Sequence, residues 1–144
     1  MGVIVLDASV VVPLMMSHPL SQAAERWIRH WKREYYRLVS PCFMPVEAVS
    51  VIRQAVYGGK FNPQQALDAV DILMAMGIEL VMPGGEVLQS SLRWAERLGQ
   101  SKAYDAQYAA LAEQYGAELW SADQRLVNAL QAQGAGWAHW IGEV

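Results

Sequence analysis

The chain has 144 residues, the size of one compact domain, and is 53% hydrophobic and 17% charged, which excludes a disordered chain and leaves material for a well-filled core or an added apolar interface. Its net charge of −3 and pI near 5.5 exclude a molecule-wide basic field, so any nucleic-acid contact must be local. Cys42 is the only cysteine, which excludes an intrachain disulfide and suits a bland buried thiol, and His18, His30 and His139 lack zinc-ligand spacing.

Val3 to Leu6 is a continuous aliphatic run, the pattern of a strand buried on both faces, and Asp7-Ala8-Ser9 then supplies residues that can cap a helix. The wider apolar stretch Met1 to Met16 is interrupted by Asp7, Ser9 and Pro13 and has no basic residue ahead of it. It reads as neither a signal peptide nor a membrane span, and a cytoplasmic protein with no membrane contact is expected. Leu20 to Tyr36 is helix-like, with Trp27, Trp31 and Tyr35 four apart, and Leu38-Val39-Ser40 is a short strand closed by Pro41. Pro45 suits a helix start, and Val46 to Tyr57 continues to Gly58-Gly59. A helix from about Asn62 to Met76 ends at Gly77, Ile78 to Met82 forms a third strand, and a helix from about Glu86 to Leu98 stops at Gly99.

Ser101 can cap a helix running to Tyr115; Glu118 to Trp120 is a fourth strand, Asp123 to Gln133 a last helix, and Gly136 to Ile141 a weak edge strand. Strands alternating with helices imply one α/β domain over residues 1–144, a three-layer sandwich with a mainly parallel central sheet flanked by helices.

Ligands of such sheets bind beyond the carboxyl ends of the strands, and Asp7 and Asp123 both follow strands. Glu47 and Asp105 lie in opening turns of helices, so all four acids can reach one cleft. Each has a plainer use: Asp7 as a helix cap, Glu47 as an acid favoured by a helix dipole, Asp123 within the capping pattern Ser121-x-x-Gln124. Asp105 is harder to explain so, because it shares an apolar helix face with Tyr108, Ala109 and Ala112, where an unpartnered charge is costly. A cluster of carboxylates needs a cation, and oxygen donors without thiolate or imidazole suit Mg²⁺ or Mn²⁺, ions that activate water for phosphodiester hydrolysis.

Val5-Leu6-Asp7-Ala8-Ser9 after the first strand, Glu47 opening a helix, Tyr104-Asp105-Ala106 with Tyr108-Ala109-Ala110-Leu111-Ala112, and Ser121-Ala122-Asp123-Gln124-Arg125-Leu126 together resemble a PIN domain. Size and motif order are similar to VapC-type toxins of bacterial and archaeal toxin–antitoxin pairs, from Val3 to about the final strand. The resemblance implies a metal-dependent endoribonuclease with Asp7, Glu47, Asp105 and Asp123 as catalytic acids and metal ligands, and products bearing a 5′-phosphate and a 3′-hydroxyl. It implies supporting hydrogen bonds from Ser9 and Ser121, an RNA substrate, a cognate antitoxin and a homodimer. Two positions depart from the common pattern: Ser50 where many relatives have asparagine, and Ser121 in place of threonine, both keeping hydrogen-bonding capacity.

Lys102 and Arg125, each near a proposed acid, are candidates for touching the scissile phosphate. Arg26, Arg29, Arg33 and Arg37 form a basic stripe at helical spacing, either a solvated face or a track for RNA, and Trp137 and Trp140 suit a partner contact or core packing. The alternatives are a non-catalytic PIN-like RNA- or protein-binding module, and an aspartyl phosphotransfer domain using Asp7, which lacks a second acid at Ser9.

Overall fold

Four consecutive aliphatic residues make β1 (Val3–Leu6), and a strand apolar on both sides takes the centre of a sheet, between β2 (Arg37–Pro41) and β4 (Glu118–Ser121). The computed structural model describes residues 2–143. β3 (Glu79–Val81) lies beyond β2 and β5 (Ala138–Trp140) beyond β4, in the order β3-β2-β1-β4-β5, with every pairing parallel. The tail is therefore an edge strand, as its composition suggests.

Parallel neighbours require crossovers, supplied by α1 (Ala8–Met15), α2 (Ser21–Arg33), α3 (Met44–Tyr57), α4 (Pro63–Met74), α5 (Gly85–Leu98), α6 (Tyr104–Tyr115) and α7 (Gln124–Ala132). Strand alternation sends Ile4, Leu6, Leu38 and Trp120 to one face, where Ala24, Ile28 and Trp31 of α2 cover them. Val5, Val39 and Leu119 face the other way, into a larger core that includes Ala48, Leu73, Trp94, Leu111 and Leu130. The result is the expected three-layer α/β sandwich. No helix among the described residues is long and apolar enough to cross a membrane.

Several local expectations give way to the structure. α2 stops at Arg33, Tyr35 takes a left-handed φ of 60°, and Arg37 opens β2, where its guanidinium grips Glu79 of β3 at 2.9 Å. The basic stripe thus loses its last member, because a strand must begin there. Ser101 does not cap α6: after left-handed Gly99 ends α5, residues 100–103 reverse the chain, and α6 starts behind Ala103 without a side-chain cap. Cys42 is exposed in the turn after β2, not buried.

The tryptophans of the tail serve internal packing. Trp137 meets Trp94 edge-on at 5.7 Å, and the Trp140 indole N–H donates to the Ala122 carbonyl at 3.2 Å. Trp27, Trp31 and Trp120 form a cluster on the α2 face. Apolar surplus appears elsewhere: a groove of about 260 Å³ between α3 and α4 is lined by Val49, Val56, Leu67 and Val70.

Candidate active site

In an all-parallel sheet every strand delivers its carboxyl end to the same edge, and the site is built there. Asp7 leaves β1 level with the end of β4, its N–H donating to the Trp120 carbonyl at 3.3 Å. Its carboxylate caps α1 by accepting the Ser9 N–H at 3.0 Å. The capping use and the site position therefore coexist in one buried side chain. The Ser9 hydroxyl donates to the same carboxylate, accepts the Ala122 N–H at 2.8 Å and lies 3.2 Å from Ser121 Oγ. Ser121 Oγ in turn accepts the Asp123 N–H at 3.0 Å. Two hydroxyls thus fasten the turn after β1 to the turn after β4. Ser121 is not the cap of α7; Asp123 is, accepting the Leu126 N–H at 3.2 Å.

Glu47 arrives from β2, in the first turn of α3 just past the same edge. α6 feeds the amino end of β4, so its opening turn, with Asp105, lies at the opposite, carboxyl edge. Tyr108, one turn further along α6, is 1% exposed and donates its hydroxyl to Glu47 Oε1 at 3.0 Å. Gln100 donates its amide to Asp105 Oδ2 at 3.3 Å. Neither Tyr108 nor Gln100 stands out from sequence as a site residue. Tyr108 had a faint signal, a phenol on the face of Asp105 that needs a partner if buried. Gln100 had none, because its reach depends on the turn before α6.

Three of the four acids, Asp7, Glu47 and Asp105, are raised. Burial pushes the Asp7 carboxyl from an ordinary 3.8 up to about 6; Ser121 and Ser9 partly relieve it, and the charge of Asp105 adds to it. Burial also raises Glu47, against its bond from Tyr108 and with repulsion from Asp105. Asp105 is raised by burial, relieved by Gln100 and pushed further by Asp123. Asp105 is half-buried, less enclosed than its apolar helix face suggests, while Asp123 is exposed. Asp105 is the hub of this repulsion.

No ion pair among the described residues reaches these acids; the pairs present join Arg37 with Glu79, and His139 with Glu118 and Glu143. Repulsion without a counter-charge on oxygen donors alone fits a hard divalent cation. No three His, Cys, Asp or Glu side chains among the described residues stand together as a ready metal cage. The arrangement is open: an ion there would be held by one or two carboxylates, with waters and substrate oxygens completing its shell.

A cleft of about 490 Å³ is lined by Glu47, Gln100, Ser101, Lys102, Tyr104 and Asp105. A second, of about 300 Å³, holds Ser9, His18, Val51 and Asp123. Lys102 is thus brought to the acids, whereas Arg125 is exposed in the first turn of α7 and lines neither cleft.

Tyr108→Phe removes one hydrogen bond and preserves the ring's packing against Phe43. The expected result is a fall of about 10- to 100-fold in metal-dependent activity, with about 1 kcal/mol or less change in stability. Activity against added Mn²⁺, set beside a melting curve, separates the two.

The PIN domain family model matches residues 4–129. Among solved structures, PAE2754 from Pyrobaculum aerophilum superposes with a TM-score of 0.70 at 21% identity, over 97% of this chain and 91% of that one. VapC20 of Mycobacterium tuberculosis, a sarcin-ricin-loop-cleaving toxin, gives 0.67 at 15% identity, over 88% and 94%. VapBC2 from Rickettsia felis, bound to a DNA fragment from its promoter, gives 0.67 at 11% identity, over 96% of each chain. No curated protein sequence matches significantly.

Proposed function

This chain belongs to the PIN-domain family, and from that premise we propose that it is a metal-dependent endoribonuclease, the toxin of a toxin–antitoxin pair, acting on single-stranded RNA in the cytoplasm. The observation that carries the reading is that Asp105, at the carboxyl edge, repels Asp7 and Glu47 and is repelled by Asp123, while no ion pair among the described residues reaches any of the four. Carboxylates crowded together without a counter-charge are stabilised by a divalent cation.

Asp7, Asp105 and Asp123 would hold Mg²⁺ or Mn²⁺ as principal ligands, with Glu47 as a further ligand or as the base orienting the attacking water. When bound, the ion supplies a water of lowered pKa and neutralises charge on the phosphate and leaving oxygen. The chain's own part is positioning. Ser9 and Ser121 keep the β1 and β4 turns in register, Gln100 steadies Asp105, and Tyr108 fixes the Glu47 carboxylate. Lys102, on the wall of the larger cleft, can meet a phosphate. A cognate antitoxin and a homodimer belong to the same proposal; the likeness to VapBC2 supports the antitoxin, and the apolar groove between α3 and α4 offers a surface for a second chain.

Single-stranded RNA incubated with the protein in Mn²⁺ and in EDTA tests the activity. Fragments with 5′-phosphate and 3′-hydroxyl ends, formed in Mn²⁺ alone, are expected; equal cleavage in EDTA contradicts it. The openness of the acid cluster also favours a second reading, a module that binds RNA or protein without cutting. Firm RNA binding with no cleavage in Mn²⁺ selects that reading.

A further inference from the structure

The cleft beside Glu47 and Asp105 is walled by Gln100, Ser101, Lys102 and Tyr104, of which Ser101 and Tyr104 have no part in the hydrolytic step. Tyr104 is 56% exposed at the start of α6, while Tyr108 one turn later is 1% exposed. An aromatic ring left open to water beside a polar cleft contributes little to the core, so the fold alone does not account for it. Its orientation is nevertheless restrained, because Phe43 meets it edge-on with centroids 5.7 Å apart and an interplanar angle of 74°. Phe43 is itself set against the buried Tyr108 at 5.6 Å. One ring is therefore presented to the cleft from a rigid support, next in sequence to Asp105.

The remaining wall complements a nucleotide. Lys102 offers a positive charge, Ser101 a hydroxyl, and Gln100, which gives one of its two amide N–H groups to Asp105, keeps a carbonyl oxygen that can accept from a base. A volume of about 490 Å³ accommodates a base with its sugar and phosphate. We propose that this cleft is a subsite for one unpaired nucleotide flanking the scissile phosphate of a single-stranded RNA, with Tyr104 stacking on its base and Lys102 meeting its phosphate. The subsite rests on the endoribonuclease reading, and it selects for unstacked substrate: a base held in a duplex cannot present its face to Tyr104.

The test is binding of a fluorescein-labelled, mixed-sequence single-stranded RNA oligomer by fluorescence anisotropy in Ca²⁺, which balances the acids' charge through looser oxygen coordination than Mg²⁺. Tyr104→Ala is expected to weaken binding by about 5- to 100-fold, and Tyr104→Phe by no more than about twofold. A series of oligomers with one abasic position each should contain one whose loss weakens the wild type to a similar degree and leaves Tyr104→Ala unaffected. Equal binding by Tyr104→Ala and wild type, no binding by the wild type, or an abasic penalty equal in both proteins overturns the subsite. Cleavage of the same oligomer in Mn²⁺ is scored separately. A wild type that binds without cutting, with Tyr104→Ala binding weakly, upholds the contact of Tyr104 with an unpaired base and removes the nuclease reading.

Discussion

On the proposed reading, Asp7→Asn and Asp105→Asn are each expected to lower kcat/KM for Mn²⁺-dependent RNA cleavage by about a thousandfold or more, the several kcal/mol expected when a metal loses a charged ligand. The fold is expected to survive both changes. In Asp7→Asn the side-chain oxygen still accepts the Ser9 N–H that starts α1, so the cap is kept and only the buried charge goes. Removing that charge from a site with no basic partner stabilises the metal-free protein, so its melting temperature at pH 8 in EDTA rises by several degrees. Loss of activity with gain of stability separates a ligand from a structural acid, whose removal costs both. Activity retained by both variants removes these acids from the chemistry.

The second large effect is a dependence of stability on pH that the metal reverses. Asp7 titrates near 6 in the folded protein against 3.8 as its ordinary value, so the folded state binds more protons than the unfolded state between those values. The stabilisation that this proton uptake provides is fully present below 3.8 and is lost as pH rises through 6. For Asp7 it amounts to about 3 kcal/mol, of which about half is still present at pH 5. Glu47 and Asp105, both raised, act in the same direction. The metal-free protein therefore melts at a lower temperature at pH 8 than at pH 5. Mn²⁺ raises the melting temperature more at pH 8, because at pH 5 it competes with protons for the same oxygens. Thermal melts at the two pH values, with Mn²⁺ and with EDTA, read all four states. A Mn²⁺ shift equal at both contradicts the assignment.

The central strand was plain in the sequence because Val3 to Leu6 is apolar at every position, which a half-exposed strand cannot be. The edge where Asp7 and Asp123 sit followed from the alternation of strands and helices, which forces parallel pairing. What the sequence withheld depends on how turns bend. Ser101 has the chemistry of a cap but lies in the turn that reverses α5 into α6, and Ser121 is passed over as a cap for Asp123 two residues later. Capping patterns name candidates within a few residues; backbone geometry chooses among them. Cys42 illustrates the same limit, since a turn at the sheet's edge exposes a residue type that is usually enclosed.

The contacts that support the acids were the least legible. Glu47 and Tyr108 are 61 positions apart and meet because the opening turns of α3 and α6 both lie at the carboxyl edge of the sheet. Asp105, the acid most conspicuous in the sequence, is raised first by burial, and it holds a position from which its charge raises both Asp7 and Glu47.

That position makes Asp105 the place to test the whole account, by calorimetric titration of Mn²⁺ into the wild type and Asp105→Asn at pH 8. The wild type is expected to bind and Asp105→Asn to lose at least about tenfold in affinity with its melting curve intact. Equal affinity in the two proteins, or no binding to the wild type, contradicts the claim that these four acids form a metal site.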